Sequence, residues 1–270
     1  MKRVDPPLAP VSQLRLVAVP RLAAGGRWRV EAMRSISEPM LLWFTKGQGR
    51  ITIAGVTRGY TPHNCIFIPA GVMHGFDVGP QVFGTAVFFG RDTVLTLPRT
   101  AQHLRIRETF QQQELNITLD NIQRELDSVS PGHDRAALHY VGLLGVWLER
   151  QVAKQSPADQ PRSDAARKLV ARYTALLERE FRSGMGVGDF AAALGVTATH
   201  LSRCCNLTCG KPASSLLQDR RIFEARKLLS ETRLPVGQIA SNLGFASPAY
   251  FTRAFQHMTG QSPSAFRRTA

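Results

Sequence analysis

Phe190-Ala191-Ala192-Ala193-Leu194-Gly195-Val196 and Ile239-Ala240-Ser241-Asn242-Leu243-Gly244-Phe245 are one pattern written twice, 49 positions apart. Leu201-Ser202-Arg203 and Phe251-Thr252-Arg253 follow at a spacing of 50, as do Gly210 and Gly260. The second copy has one extra residue in the turn after its glycine. In each copy a short helical run ends at a glycine, and a second run follows with apolar residues at three- and four-residue steps. That spacing predicts two helices folded onto each other across a tight turn, the helix-turn-helix plan.

The second helix of such a unit lies in the major groove of duplex DNA, with its first turns facing base edges. In copy one it begins near Ala198, and the face away from Leu201 and Cys205 presents Thr199, Ser202, Arg203 and Asn206. In copy two Phe251 and Phe255 point inward, which leaves Ala249, Tyr250, Thr252, Arg253 and Gln256 outward. An arginine guanidinium bridges guanine O6 and N7 with two hydrogen bonds, a contact worth ~1–3 kcal/mol of discrimination. One such arginine on one helix is more readily a phosphate or solvent contact. The same residue at the same place in two tandem units favours base reading.

Between the copies, residues 212–231 read as one long helix with proline in its first turn. Roughly 18 residues at ~1.5 Å each span ~27 Å, enough to hold two recognition helices about one DNA turn apart. Its charged patches, Asp219-Arg220-Arg221 and Arg226-Lys227, fit a solvated face or phosphate contact equally. Lys211 before it, with Arg267 and Arg268 near the chain end, are placed for backbone phosphates, as are Asn206 and Gln256 on the second helices.

Upstream the period changes. Runs at 14–19, 29–33, 40–45, 49–54, 65–69 and 82–89 are rich in β-branched and aromatic residues and broken by Gly, Pro and Asn, which predicts strands closing into a barrel or sandwich. Residues 115–126 and 133–154 read as helices. The second carries a stripe of Leu138, Val141, Leu144, Leu148 and Val152, which either covers the barrel or pairs with a second copy of itself. Residues 155–162 are polar with two prolines and read as a linker. The division is therefore a β-rich domain at 1–98, a helical segment at 99–154, the linker, and an all-α domain at 163–270. In that last domain the first helix-turn-helix lies at about 187–210, the joining helix at about 212–231 and the second unit at about 235–259. The fold class is α+β, in two domains.

Charge agrees with an anionic partner. The chain carries 34 Lys and Arg against 20 Asp and Glu, a net of +14. Residues 163–270 hold +8 of it and residues 1–162 the other +6. Hydrophobic residues are 43% and charged ones 20%, the ordinary globular balance, which excludes wholesale disorder. No apolar run nears the ~18 residues of a bilayer span. The four cysteines at 65, 204, 205 and 209 form no secreted disulfide framework, so a cytoplasmic location is expected. Cys204, Cys205 and Cys209 with His200 invite a redox or metal role; small buried fillers explain them more simply.

Gln238-Ile239-Ala240-x2-Leu243-Gly244-Phe245-x5-Phe251-x-Arg253-x-Phe255-x4-Gly260-x-Ser262-Pro263-x2-Phe266-Arg267 resembles the C-terminal signature of the AraC/XylS family of bacterial transcription regulators, over about residues 163–269. The resemblance implies two helix-turn-helix subdomains joined by a long helix. It also implies base-reading places at Thr199, Ser202, Arg203, Ala249, Tyr250 and Arg253, and contact with RNA polymerase. Copy one departs from the pattern at Cys204-Cys205, Cys209 and Pro212.

The strand runs followed by Pro69-Ala70-Gly71-Val72-Met73-His74 resemble the cupin-like sensor domain of the same family, over roughly residues 10–95. The resemblance implies a small-molecule effector, and His74 with Trp43, Phe76 and Phe88 are the candidate pocket residues, against the plain alternative of a barrel core. Metal-binding cupins add a His-x-His pair and a carboxylate one hairpin earlier, where Leu41-Leu42-Trp43-Phe44-Thr45-Lys46-Gly47 has neither. No metal, no cofactor and no catalysis are therefore expected. Arg27, Arg29 and Arg34 are available to a carboxylate effector. The leading reading is an effector-responsive activator, a homodimer through 133–154. The alternatives are a regulator whose N-terminal domain only dimerises, and a cupin-type metalloenzyme.

Overall fold

The structure, a computed structural model, describes residues 14–24, 26–91, 95–155 and 164–269. The expected linker falls almost wholly outside these residues.

Among the described residues, eight strands and two short helical turns form the first unit. They are β1 (Arg15–Ala18), α1 (Val19–Leu22), α2 (Trp28–Glu31), β2 (Met40–Lys46), β3 (Gly49–Ile53), β4 (Val56–Tyr60), β5 (Asn64–Ile68), β6 (His74–Phe76), β7 (Phe83–Phe88) and β8 (Gln102–Arg105). They pair antiparallel in two sheets, ordered β1-β7-β2-β5-β8 and β4-β3-β6. β2 explains the layering. Met40, Leu42 and Phe44 point between the sheets, against Ile51, Tyr60, Ile66 and Phe76. Leu41 and Trp43 point the other way, towards a helical layer. A strand buried on both faces reads as a continuous apolar run.

That helical layer is α3 (Thr109–Leu126) and α4 (His133–Ala153). Val141, Leu144 and Leu148 are at most 1% exposed and pack with Leu115, Leu119 and Ile122 against the outer face of the larger sheet. Of the two uses open to the α4 stripe, covering the barrel is the one the fold adopts. Leu143 and Val146 point out from α4, and Phe110 and Ile117 from α3.

Three strands escape the sequence reading. β4, β6 and β8 are short and are interrupted by polar or charged residues and glycine, so no apolar run marks them. One expected strand is absent: residues 29–33 contain α2, a single helical turn held by the Arg27–Glu31 ion pair at 2.7 Å. The run expected at 49–54 ends at Ile53, because Ala54 and Gly55 take φ of 49° and 74° and turn the chain into β4. Two left-handed residues are what a two-residue hairpin needs.

The second unit is all helical: α5 (Ala165–Glu180), α6 (Val187–Ala193), α7 (Ala198–Cys209), α8 (Ala213–Glu231), α9 (Val236–Asn242), α10 (Pro248–Thr259) and α11 (Pro263–Thr269). The two copies are capped alike. Thr197 Oγ1 accepts from His200 N at 3.2 Å to start α7, and Ser247 Oγ accepts from Tyr250 N at 3.1 Å to start α10. Gly210 and Gly260, at φ 71° and 78°, close the same two helices.

The units share a core. Met33 and Met73 of the barrel belong to the apolar cluster of the helical unit, and Trp28 packs edge-on against Phe223 at 5.7 Å and Phe266 at 6.0 Å. Gly55, at the tip of the β3–β4 hairpin, lies so close to α5 that any side chain there would collide with Val170.

Candidate nucleic-acid interface and ligand cavity

α7 and α10 each bury one face and offer the other. Leu201, Cys205, Phe251 and Phe255 are fully buried, which turns Thr199, Arg203 and Asn206, and Ala249, Tyr250, Arg253 and Gln256, to solvent. Ser202 and Thr252 are half-buried at the edge of these faces. On α7 a shallow concavity runs over Ala198, Thr199, Ser202, Arg203, Asn206 and Leu207. Thr252 Oγ1 donates to Pro248 O at 2.9 Å and keeps its lone pairs for an outside donor. Arg203 rests against His200 Nδ1 at 3.2 Å. These faces hold what a major-groove reader needs: two guanidinium forks, small hydroxyls and two amides, spread along the outward sides of α7 and α10.

Five cations of the sequence reading have other partners. Arg220 is 6% exposed at its side chain, pairs with Glu178 at 2.7 Å and Glu224 at 2.9 Å, and lies 3.9 Å over the Phe181 ring. Arg221 donates to the carbonyls of Phe181 and Met185 at 2.8 and 3.1 Å. Arg226 lies 5.0 Å over Trp28. The α8 patch is therefore mainly interior scaffolding between α5, α8 and the barrel, and a charge run alone does not distinguish that from a solvated face. Arg267 donates to Leu234 O and so ties α11 to the start of α9, while Lys211 pairs with Asp219 at 2.7 Å. Arg268 is exposed.

Burial alone would raise the Glu224 carboxyl, but Arg220 and Arg182, the latter 2.5 Å away, outweigh it and hold Glu224 below the usual carboxylate range. In copy one the cysteines fill space. Cys204 and Cys205 are buried, Cys204 Sγ is 3.7 Å from His200 Nε2, and Cys209 Sγ donates to Cys205 O at 3.2 Å. Burial pushes the Cys205 thiol up to about 12. Among the described residues no group of three or more His, Cys, Asp or Glu is arranged to hold a metal.

The four residues expected to line a pocket divide between two cores. Trp43 faces the helical layer and donates from Nε1 to Asn116 Oδ1 at 2.8 Å. Phe76 and Phe88 belong to the core between the sheets. His74 is fully buried and bridges to Arg34 through paired backbone hydrogen bonds of 2.7 and 3.0 Å. Its Nδ1–H donates to Val72 O at 2.9 Å; burial, then the nearby Arg34, drive it down to about 3, so the ring is neutral. The early arginines are engaged as well. Arg27 pairs with Glu31, Arg29 lies 4.9 Å over Trp28, and Arg34 is buried between the Phe76 and Phe223 rings.

A cavity lies elsewhere, at the seam where the free edges of β4 and β8 meet α5. Its volume is about 380 Å³. Ile51, Ile53, Ala54 and Val56 form one wall, residues 100–103 a second, and Arg167, Lys168 and Ala171 of α5 the third. Arg58 enters from β4 because its partner across the ladder is the inward-facing Ile51. Burial, and then the neighbouring Arg167, lower the Arg58 guanidinium from its ordinary value. His103 on β8 is held down to about 4 by burial and by Arg58. Sequence reasoning passed over Arg58, although Val56-x-Arg58-x-Tyr60 places a charge on the inward parity of a strand.

Residues 190–269 match a family model described as a helix-turn-helix domain. The arabinose operon regulatory protein of Escherichia coli is 35% identical over 127 residues, 47% of this chain and 43% of that protein. The transcriptional activator AarP of Providencia stuartii is 31% identical over 99 residues, 37% of this chain and 73% of that protein. The C-terminal domain of AraT, a response regulator from Geobacillus stearothermophilus, superposes on 41% of this chain and 89% of its own at 28% identity and a TM-score of 0.37. The chain spans about half the length of the arabinose regulators it matches.

Proposed function

The chain belongs to the AraC/XylS family of bacterial transcription regulators, and from that premise we propose that it is a sequence-specific DNA-binding activator whose binding responds to a small molecule. The repeated outward face of α7 and α10, with Arg203 and Arg253 at equivalent places, carries the reading. Thr199, Ser202, Ala249, Tyr250 and Thr252 complete the base-reading set. Asn206, Gln256 and Arg268 reach backbone phosphates. Arg267 and Lys211 shape the scaffold beneath them. The effector enters the cavity between β4, β8 and α5, and the protein acts in the cytoplasm, together with RNA polymerase.

The chain works as a homodimer. The outward α4 residues Leu143 and Val146, 61% and 42% exposed, with Phe110 and Ile117 of α3, are the apolar surface available to a second copy.

Fluorescence anisotropy on labelled duplexes from the regions upstream of neighbouring genes tests the reading. One duplex is expected to bind well below micromolar, with affinity falling steeply as salt rises. Uniform, weak binding to all duplexes would remove the claim of sequence selectivity. Arg253→Ala is expected to relax preference at one base position at a cost of about 1–3 kcal/mol. Equal weakening on every sequence would make Arg253 a phosphate contact instead.

A further inference from the structure

On the reading that α7 and α10 face base edges, we propose that Leu207 is a further specificity-determining residue. It covers the C5 methyl of a thymine in the major groove, within about two base pairs of the base that Arg203 reads.

Leu207 lies on α7 one helical turn past Arg203 and two past Thr199, so the three share the outward side of the helix. It is 75% exposed. One exposed leucine needs no explanation by itself, but its place does. The core face of α7 is complete without it: Leu201, Cys204 and Cys205 are buried there, and Leu207 takes no part in the apolar cluster of the helical unit. Among the described residues of that unit the exposed large apolar side chains are Leu207 and Tyr250, one on each recognition helix. Tyr250 leans on the Phe245 ring at 6.1 Å. Leu207 instead lines the concavity that Ala198, Thr199, Ser202, Arg203 and Asn206 also form.

The neighbours in that concavity select the occupant. A leucine side chain has no hydrogen-bond donor, so it does not hold a phosphate. The major-groove edges of the four bases present one apolar group, the thymine C5 methyl, and a purely apolar side chain is its complement. A protein partner seated on Leu207 would cover Thr199 and Arg203 as well, and so compete with the DNA they face. The distance follows from two repeats. One helical turn advances ~5.4 Å and one base step ~3.4 Å, so the stripe residue after Arg203 falls no more than about two base pairs further on. The second unit does not read a thymine this way. The spacing of 50 that aligns Arg203 with Arg253 puts the exposed His257 in the place of Leu207.

Selection of duplexes from a randomised pool by the full chain, followed by anisotropy on the winners, tests this. Wild type, Leu207→Ala, Leu207→Met and Arg203→Ala are run together. The wild type is expected to enrich a thymine within about two base pairs of the position whose preference Arg203→Ala relaxes. Replacing that thymine by deoxyuridine removes the methyl and keeps every hydrogen bond. The wild type is then expected to lose about fourfold in affinity, the weight of one buried methyl group at ~0.8 kcal/mol. Leu207→Ala is expected to bind both duplexes alike and to melt at the wild-type temperature, and Leu207→Met to keep most of the difference. At thymines facing the second unit, deoxyuridine is expected to act equally on wild type and Leu207→Ala. No thymine preference near the Arg203 base, no loss from deoxyuridine in the wild type, or the same loss in Leu207→Ala would overturn the proposal. An Arg203 preference without the thymine preference removes the Leu207 assignment alone. A wild type that enriches no sequence removes the base-reading account of α7 together with it.

Discussion

The outward placement of Arg203 and Arg253 was legible because the repeat placed them in register, and Arg58 was missed because nothing repeats it. A lone charge in a strand announces itself through parity, and parity is visible only once the strand is known. Arg267 fails in the opposite way: its neighbours in sequence suggest a surface, while the Leu234 carbonyl it reaches is 33 positions away. Two further outcomes belong to single residues. Gly244 and Gly210 both adopt positive φ, at 69° and 71°, but a methyl at 244 would drive into the backbone of Gly184, whereas the space around 210 is open. Gly210→Ala is expected to cost about 1 kcal/mol and Gly244→Ala clearly more, read as urea midpoints at constant slope. Equal losses would show that the two turns do not touch. The second concerns His74. Its folded value of about 3 lies below the ordinary histidine value of ~6.5, so the neutral ring contributes stability above ~6.5 that is progressively lost as pH falls towards 3. Melting temperature is expected to begin dropping below about pH 6.5, and less so in His74→Gln. A profile flat down to pH 5 would contradict the buried, neutral ring.

Elements with strong periodicity were read to within a few residues: α4, α8 and the paired helices α7 and α10. Their apolar steps are set by the 3.6-residue turn, which sequence displays directly. What α4 packs against was open, since an apolar stripe fits a sheet and a partner helix equally well. The structure uses the inner stripe on the sheet, and the proposed dimer moves to the outer face. These two roles separate by mutation. Leu144→Ala, at a fully buried position, is expected to cost about 2–5 kcal/mol of stability in denaturant. Leu143→Glu is expected to leave stability nearly unchanged and to shift the sedimentation coefficient from dimer to monomer. Should Leu143→Glu sediment like the wild type, the outer face is not the interface. The short elements β4, β6 and β8 were lost because three to five residues broken by polar side chains and glycine fall below what periodicity can register, and tertiary pairing alone makes them strands.

At the scale of the molecule, charge density differs across the expected linker, +8 over residues 163–270 against +6 over residues 1–162. Sequence gave no sign that the two share a core, because Trp28, Met33 and Met73 are scattered single residues, and the rings Trp28 meets, Phe223 and Phe266, lie 195 and 238 positions away. That shared core places the barrel against the helices that flank and join the recognition units: Trp28 on α8 and α11, and the β3–β4 hairpin on α5. The central claim is that α7 and α10 read duplex DNA together from one rigid scaffold. Hydroxyl-radical footprinting on a selected duplex tests it most directly. Two protected patches are expected on one face of the duplex, about one helical turn apart, with Arg203→Ala removing sequence preference in one patch and Arg253→Ala in the other. A single patch, or two patches that both variants weaken alike on every sequence, would contradict it.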